Sequence, residues 1–169
     1  MDSTRLPSVL PVLDKMSPRE LAALMEDARS LQRTAQAGAT RSLLRTRKVG
    51  LLCAAGAADN EDVALLDRAA TELGAHVAHI RTDLTDLSEL QQVVHTAHML
   101  GRLYDALVCQ GMASSVVRRL SAEAGIPVYD GIESPSHSLD EAPDLLGPAI
   151  SPTDTRRYLL QAELLRSMA

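Results

Sequence analysis

The chain of 169 residues contains no Phe and no Trp, and Tyr104, Tyr129 and Tyr158 are its whole aromatic complement. Its core must therefore be built from Leu, Val, Ile, Ala and Met, and the stacking platforms on which single-stranded nucleic acids lay their bases are missing. Cysteine is nearly as scarce. Cys53 and Cys109 both fall in apolar, strand-like runs, where a small buried hydrophobe is the expected role rather than a disulfide or a metal ligand. There is no basic stripe either: the formal net charge is -5 and the Lys and Arg residues are scattered, which argues against a nucleic-acid surface and leaves solubility as the plain meaning of the charge. No apolar stretch approaches the length that spans a bilayer, and MDSTRLPSVLPVLDKM lacks the basic start and continuous apolar core of a signal peptide. The expectation is a cytoplasmic protein without membrane or nucleic-acid partners. Internal repeats and low-complexity tracts are absent as well.

What is present is an alternation of short apolar runs and amphipathic segments, in a chain long enough for one core and short for two. A first helix is expected over about 17–36: SPRE supplies a capping Ser17, Pro18 at the first helical position and Glu20 to complete a capping box, and Leu21, Leu24, Met25, Ala28 and Leu31 recur at helical spacing. The sheet region follows over about 48–131. KVGLLCAA (48–55), AHVAHI (75–80), YDALVCQ (104–110) and IPVYDG (126–131) read as strands, separated by helical patterns at about 60–73, 88–101 and 114–125 with Gly74 and Gly125 as stops. Strands alternating with helices of this length imply right-handed crossovers, so the fold class is α/β: a three-layer, doubly wound parallel sheet of about four strands, flanked by helices, with the N- and C-terminal helices packed together. A Pro-rich link of about 133–152 leads to a last helix of about 153–168, capped by Thr153 or Asp154, whose apolar residues Leu160, Leu164 and Met168, beside Tyr158 and Leu165, need a surface to dock on.

In open parallel sheets ligands gather beyond the carboxyl ends of the strands, near the point where strand order reverses. The candidate segments are 54–62, 81–87, 110–115 and 130–140. The first reads CAAGAADNEDVALL, and a helix start of this kind offers N–H groups and a partial positive charge to an anion. Here the chain supplies its own anions, Asp59, Glu61 and Asp62 beside Asn60, and no basic residue. Capping and opposition to the helix dipole explain such carboxylates without a ligand; a cation or amine site is the functional alternative, and without a histidine at ligand spacing they do not make a metal site. His137 stands near Asp140, Glu141 and Asp144 in a stretch where a solvated loop histidine is the plain reading. His76, His79, His95 and His98 are expected in surface or packing roles. Ser114 and Ser115 in QGMASS are expected as helix caps, since no G-x-S-x-G elbow surrounds them.

The order of elements and several phrases resemble the carbamoyl-phosphate-binding half of the aspartate/ornithine carbamoyltransferase family. SPRELAALMEDARSLQ is similar to the family's first helix, KVGLLC with AATELGAHV to its first strand, helix and Leu-Gly turn, and HTAHMLGRLYDALVCQG to its Asp-Thr-Ala-x-x-Leu helix and following strand. IPVYDGIESPSHSLDEAPDLL is similar to the Pro-Val-Ile-Asn stretch and His-Pro-x-Gln loop, and TDTRRYLLQAELLRSM to the C-terminal helix that returns to pack on the first domain. The likeness covers nearly the whole chain, as one carbamoyltransferase N-domain-like unit, with a short link near Gly147 to Ser151 in place of the family's second domain. Counting back from Leu73-Gly74, the family's Ser-Thr-Arg-Thr-Arg phosphate loop falls on Asp59, Asn60, Glu61, Asp62 and Val63, so Glu61 and Val63 stand where the resemblance implies arginines. The arginine after the third strand falls on Gln110; in the His-Pro-x-Gln loop His137 stays, while Ser138 and Asp140 replace Pro and Gln; and the family's Asp-Thr-Ala becomes His95-Thr96-Ala97.

Two unit charges about 4 Å apart interact by roughly 4 kcal/mol at an effective dielectric near 20, so one reversal of sign removes on the order of three decades of affinity. The expected function is that of a carbamoyltransferase-like protein without carbamoyl phosphate binding or transferase activity, with no catalytic residue, no metal and no cofactor. The candidate cleft comprises Asp59, Asn60, Glu61, Asp62, Gln110, His137 and Asp140, open to a small polar or cationic ligand, and the resemblance implies a homotrimer. The alternatives are an enzyme using Glu61, Asp62, His137 and Asp140 for acid/base work on a positively charged substrate, and a non-catalytic partner of a true transcarbamylase.

Overall fold

The structure is a computed structural model and describes residues 16–39, 43–84, 90–131 and 146–168. Its elements run α1 (Pro18–Gln36), β1 (Lys48–Cys53), α2 (Glu61–Glu72), β2 (His76–Arg81), α3 (Leu90–Leu103), β3 (Ala106–Gln110), α4 (Ser114–Ala124), β4 (Val128–Asp130) and α5 (Pro152–Met168). The four strands form one parallel sheet in the order β2-β1-β3-β4. Val49 lies opposite Val77 on one side and Ala106 on the other, and Leu107 lies opposite Val128.

Side chains that alternate along β1 set the three layers. Val49, Leu51 and Cys53 join the cluster that includes Leu24 and Leu31 of α1, Leu66 and Ala69 of α2 and Leu159, Leu160 and Leu164 of α5. Leu52, with Leu107 and Cys109 of β3, joins the opposite cluster, made with Val93, Ala97 and Leu100 of α3 and Val116, Val117 and Leu120 of α4. The expected three-layer α/β arrangement and the docking of the last helix on the first are both present.

Local signals explain most boundaries. At α1 the Glu20 N–H donates to Ser17 Oγ at 3.3 Å while the Ser17 N–H donates to Glu20 Oε2 at 2.8 Å, which completes the capping box. Three details differ from expectation. α3 runs on to Leu103 past Gly101, because this glycine is used for contact: a Cβ there would lie 2.0 Å from the Ala124 carbonyl oxygen. α5 starts at Pro152 and is capped by Ser151, whose Oγ accepts from the Asp154 N–H at 3.1 Å, so neither Thr153 nor Asp154 is the cap. Ser114 is the first residue of α4 rather than its cap; the capping position is Ala113, which offers no side-chain acceptor, and the Ser114 hydroxyl is spent elsewhere.

Candidate functional site

The sheet reverses its winding between β1 and β3, since the chain leaves β1 for β2 on one side and returns to β3 on the other. That places the segments after β1 and β3 side by side at the carboxyl rim. The Ala54 N–H donates to the Gln110 carbonyl at 3.0 Å, and the Thr82 N–H to the Cys53 carbonyl at 3.2 Å. Gly111 has φ +71°, and a Cβ there would stand 2.8 Å from the Ala57 Cβ, so the two turns touch where only glycine fits. At the β4 side the Ser114 hydroxyl donates to Asp130 Oδ2 at 3.0 Å, tying the start of α4 to the end of its neighbouring strand.

The acidic turn divides into three roles. Asn60 is the cap of α2, its Oδ1 accepting from the Asp62 N–H at 2.9 Å, so the amide rather than a carboxylate satisfies the orphan donor. Asp59 and Glu61 are exposed, Glu61 lying in the first helical turn where it opposes the dipole. Asp62 is the exception: its Oδ1 lies 2.6 Å from Arg156 Nη2, with the two side chains only 15% and 18% exposed. The turn has no basic residue of its own in sequence, and α5 supplies one in space. Gln110 ends β3 on the same rim, half-buried. His137 and Asp140 lie outside the described residues, as do Glu141 and Asp144.

The two cysteines and the paired histidines have structural surroundings. Cys53 and Cys109 are buried and free, and burial, reinforced by the Asp130 charge and by Cys53, pushes the Cys109 thiol up to about 12. Burial raises the Cys53 thiol as well. His79 Nε2 stands 2.8 Å from Asp67 Oδ2 on α2, and His98 Nε2 3.4 Å from Glu123 Oε2 on α4, the surface pairing expected of them. Among the described residues no three His, Cys, Asp or Glu side chains converge as metal ligands would, and no helix is long and apolar enough to cross a membrane. Two participants escaped the sequence reading. Arg156 carries no local signal linking it to Asp62, and the Ser114–Asp130 bond depends on parallel strand order that spacing alone does not reveal.

An open parallel sheet with this rim and a helix folded back across α1 and α2 defines the class, a doubly wound α/β domain. The chain is 33% identical over 142 residues to the catabolic ornithine carbamoyltransferase of Mycoplasma capricolum, covering 82% of this chain and 44% of that protein. It is 30% identical over 128 residues to the ornithine carbamoyltransferase of Actinobacillus pleuropneumoniae, covering 76% and 38%. Among solved structures it superposes on ornithine carbamoyltransferase from Burkholderia thailandensis with a TM-score of 0.58 at 16% identity, over 73% of this chain and 41% of that one. A putative aspartate carbamoyltransferase from Trypanosoma cruzi gives a TM-score of 0.58 at 19% identity, over 76% and 42%. No family model matches the chain. The protein is homologous to the ornithine carbamoyltransferases and shares the fold of the aspartate carbamoyltransferases, and it spans less than half the length of the relatives it matches.

Proposed function

We propose that this chain is a single carbamoyltransferase-like domain that has lost carbamoyl phosphate binding and transfer and serves a binding or interaction role. The observation that carries the reading is the composition of the turn after β1: Asp59 and Glu61 are exposed at the start of α2, the position where a phosphate would seek N–H groups and cations. The nearby cation, Arg156, is already engaged by Asp62. A carboxylate about 4 Å from one unit of negative charge is repelled by about 1 kcal/mol in bulk water and by roughly 4 kcal/mol at the effective dielectric near 20 of a protein surface, and a dianion feels about twice that. Transfer would further need cations aimed at the developing charge and a positioned second substrate, and the neighbouring rim residues Gln110, Ser114 and Asp130 offer no cation.

The candidate positions for a small polar or cationic molecule are Asp59, Glu61 and Gln110 on this rim, with His137 and Asp140 as further candidates. A homotrimer is the assembly the family resemblance favours. Isothermal calorimetry with carbamoyl phosphate tests the central point. No heat of binding at millimolar ligand is expected, and micromolar uptake, or citrulline or carbamoyl-aspartate formed in an assay, overturns the reading. Light scattering after size exclusion tests the assembly separately, and a monomer would remove the trimer.

A further inference from the structure

α5 meets α2 through two consecutive arginines that reach opposite ends of the same helix. Arg156 contacts Asp62 in the first turn of α2, and Arg157 binds Glu72 in its last turn. Twelve helical residues extend about 18 Å, so the two guanidinium groups must spread in opposite directions from adjacent positions. The Arg157 end is heavily reinforced: its Nη2 donates to Asp154 Oδ1 at 2.7 Å, and the Gln161 amide donates to Glu72 Oε2 at 3.0 Å and to the Ala69 carbonyl at 3.2 Å. The Arg156 end is not. Among the described residues Asp62 is the one carboxylate within ion-pair distance of Arg156, and the guanidinium Nε and Nη2 are buried without a partner in hydrogen-bonding geometry. Thr155 is buried beside them, its hydroxyl likewise unpartnered.

We propose that α5 is a strap whose first turns span α2, with Arg157 fixed at the last turn of α2 and Arg156 fastened at the rim end by Asp62. Its middle is held by burial, since Leu159, Leu160 and Leu164 are fully covered, and that part stays packed whatever the charges do. Its start runs from the exposed Ser151, Pro152 and Thr153 to the buried Thr155 and Tyr158, and the Asp62–Arg156 pair is the contact that ties it to the first turn of α2. Unfastening therefore loosens the turn at residues 59–62 without unfolding the sheet, and Asp62 serves the strap rather than any ligand. This leaves Asp59 and Glu61 as the solvent-facing acids of the rim.

The strap stands independently of whether carbamoyl phosphate binds, because its test reads local opening. In hydrogen exchange on the full chain, Arg156→Ala should accelerate the amides of Val63, Ala64 and Leu65 by about tenfold or more, the signature of a lowered local opening free energy. Asp62→Ala should do the same, and the double variant should exchange no faster than the faster single one, because both remove one contact. Unchanged exchange in Arg156→Ala, or multiplicative effects in the double variant, overturns the proposal. Arg166→Ala, at the far end of α5, should leave these amides untouched, and an equal acceleration there would also overturn it. If Arg156→Ala does not fold, the exchanged pair Asp62→Arg with Arg156→Asp decides: a recovered fold supports the strap and a failure to recover removes it.

Discussion

Across one face of the sheet α5 presses on α1 and α2 through buried leucines and paired charges, with Arg166 reaching Asp27 at 2.8 Å, Arg157 reaching Glu72 and Arg156 reaching Asp62. Across the other face α3 and α4 meet with no comparable stitching, and their closest approach is made by Gly101 against the Ala124 backbone. Only one described ion pair, His98 with Glu123, bridges these two helices, and its distance is 3.4 Å. The contrast shows two ways to fix a helix on a sheet. Charged contacts specify where a helix stops sliding, whereas a missing side chain specifies how near two helices come. The first tolerates exchange of one cation for another; the second tolerates no growth at all.

The sharpest way to break the contrast is Gly101→Ala. A backbone oxygen cannot rotate away, so α3 and α4 must separate, and we expect a loss of about 3 kcal/mol in denaturant unfolding. A cost below about 1 kcal/mol would show that the seam is pliant. Next is Glu72→Ala, which strips the acceptor from Arg157, a residue only 9% exposed, and from Gln161. Buried pairs broken on one side cost about 3–5 kcal/mol, and the third of Glu72 that remains exposed reduces this to about 2 kcal/mol. By comparison Arg166→Ala, at a pair with 34% and 51% exposure, should cost under about 1 kcal/mol.

Two smaller effects concern protons. Burial pushes the Glu163 carboxyl up, with Arg166 partly opposing, so the folded state prefers this group protonated and its ionised form weakens the α5 face. Glu163→Gln should therefore raise the melting temperature at neutral pH, with the gain fading as pH falls toward the ordinary carboxylate range and gone below it, where both states are protonated. A gain that persists at pH 3 would assign the effect to packing. Cys109, held as a thiol up to about 12, and the buried Cys53 should both resist a thiol reagent at pH 8 in the native protein and react fully in denaturant.

Much of the fold was legible because each element carried its own punctuation. Ser17, Pro18 and Glu20 marked the start of α1, and Gly74 and Gly125 marked the exits from α2 and α4. Errors arose where tertiary contact overrode local habit: the helical pattern expected over 88–101 runs on through Gly101, a contact point, to Leu103, and Ser114 reads as a cap but donates to Asp130. At the candidate site the adjacency of segments was legible, and the side-chain pairing was not. Parallel strands fix where a ligand could sit, so segments 54–62 and 110–115 do lie together. The partner of Asp62 depends on how α5 folds back, and its two arginines look alike in sequence although one is heavily bonded and the other rests on a single carboxylate.

The buried amide of Gln161 has a further effect on how α5 can move. It reads a main-chain carbonyl of Ala69 as well as a side chain, so it recognises a position along α2 that no substitution can erase. Were α5 to slip by one turn, about 5.4 Å, both that amide and Arg157 would lose their acceptors on α2 at once. The helix is in effect indexed, like a key whose notch meets one tumbler, and greasy leucines alone would not have chosen among its settings.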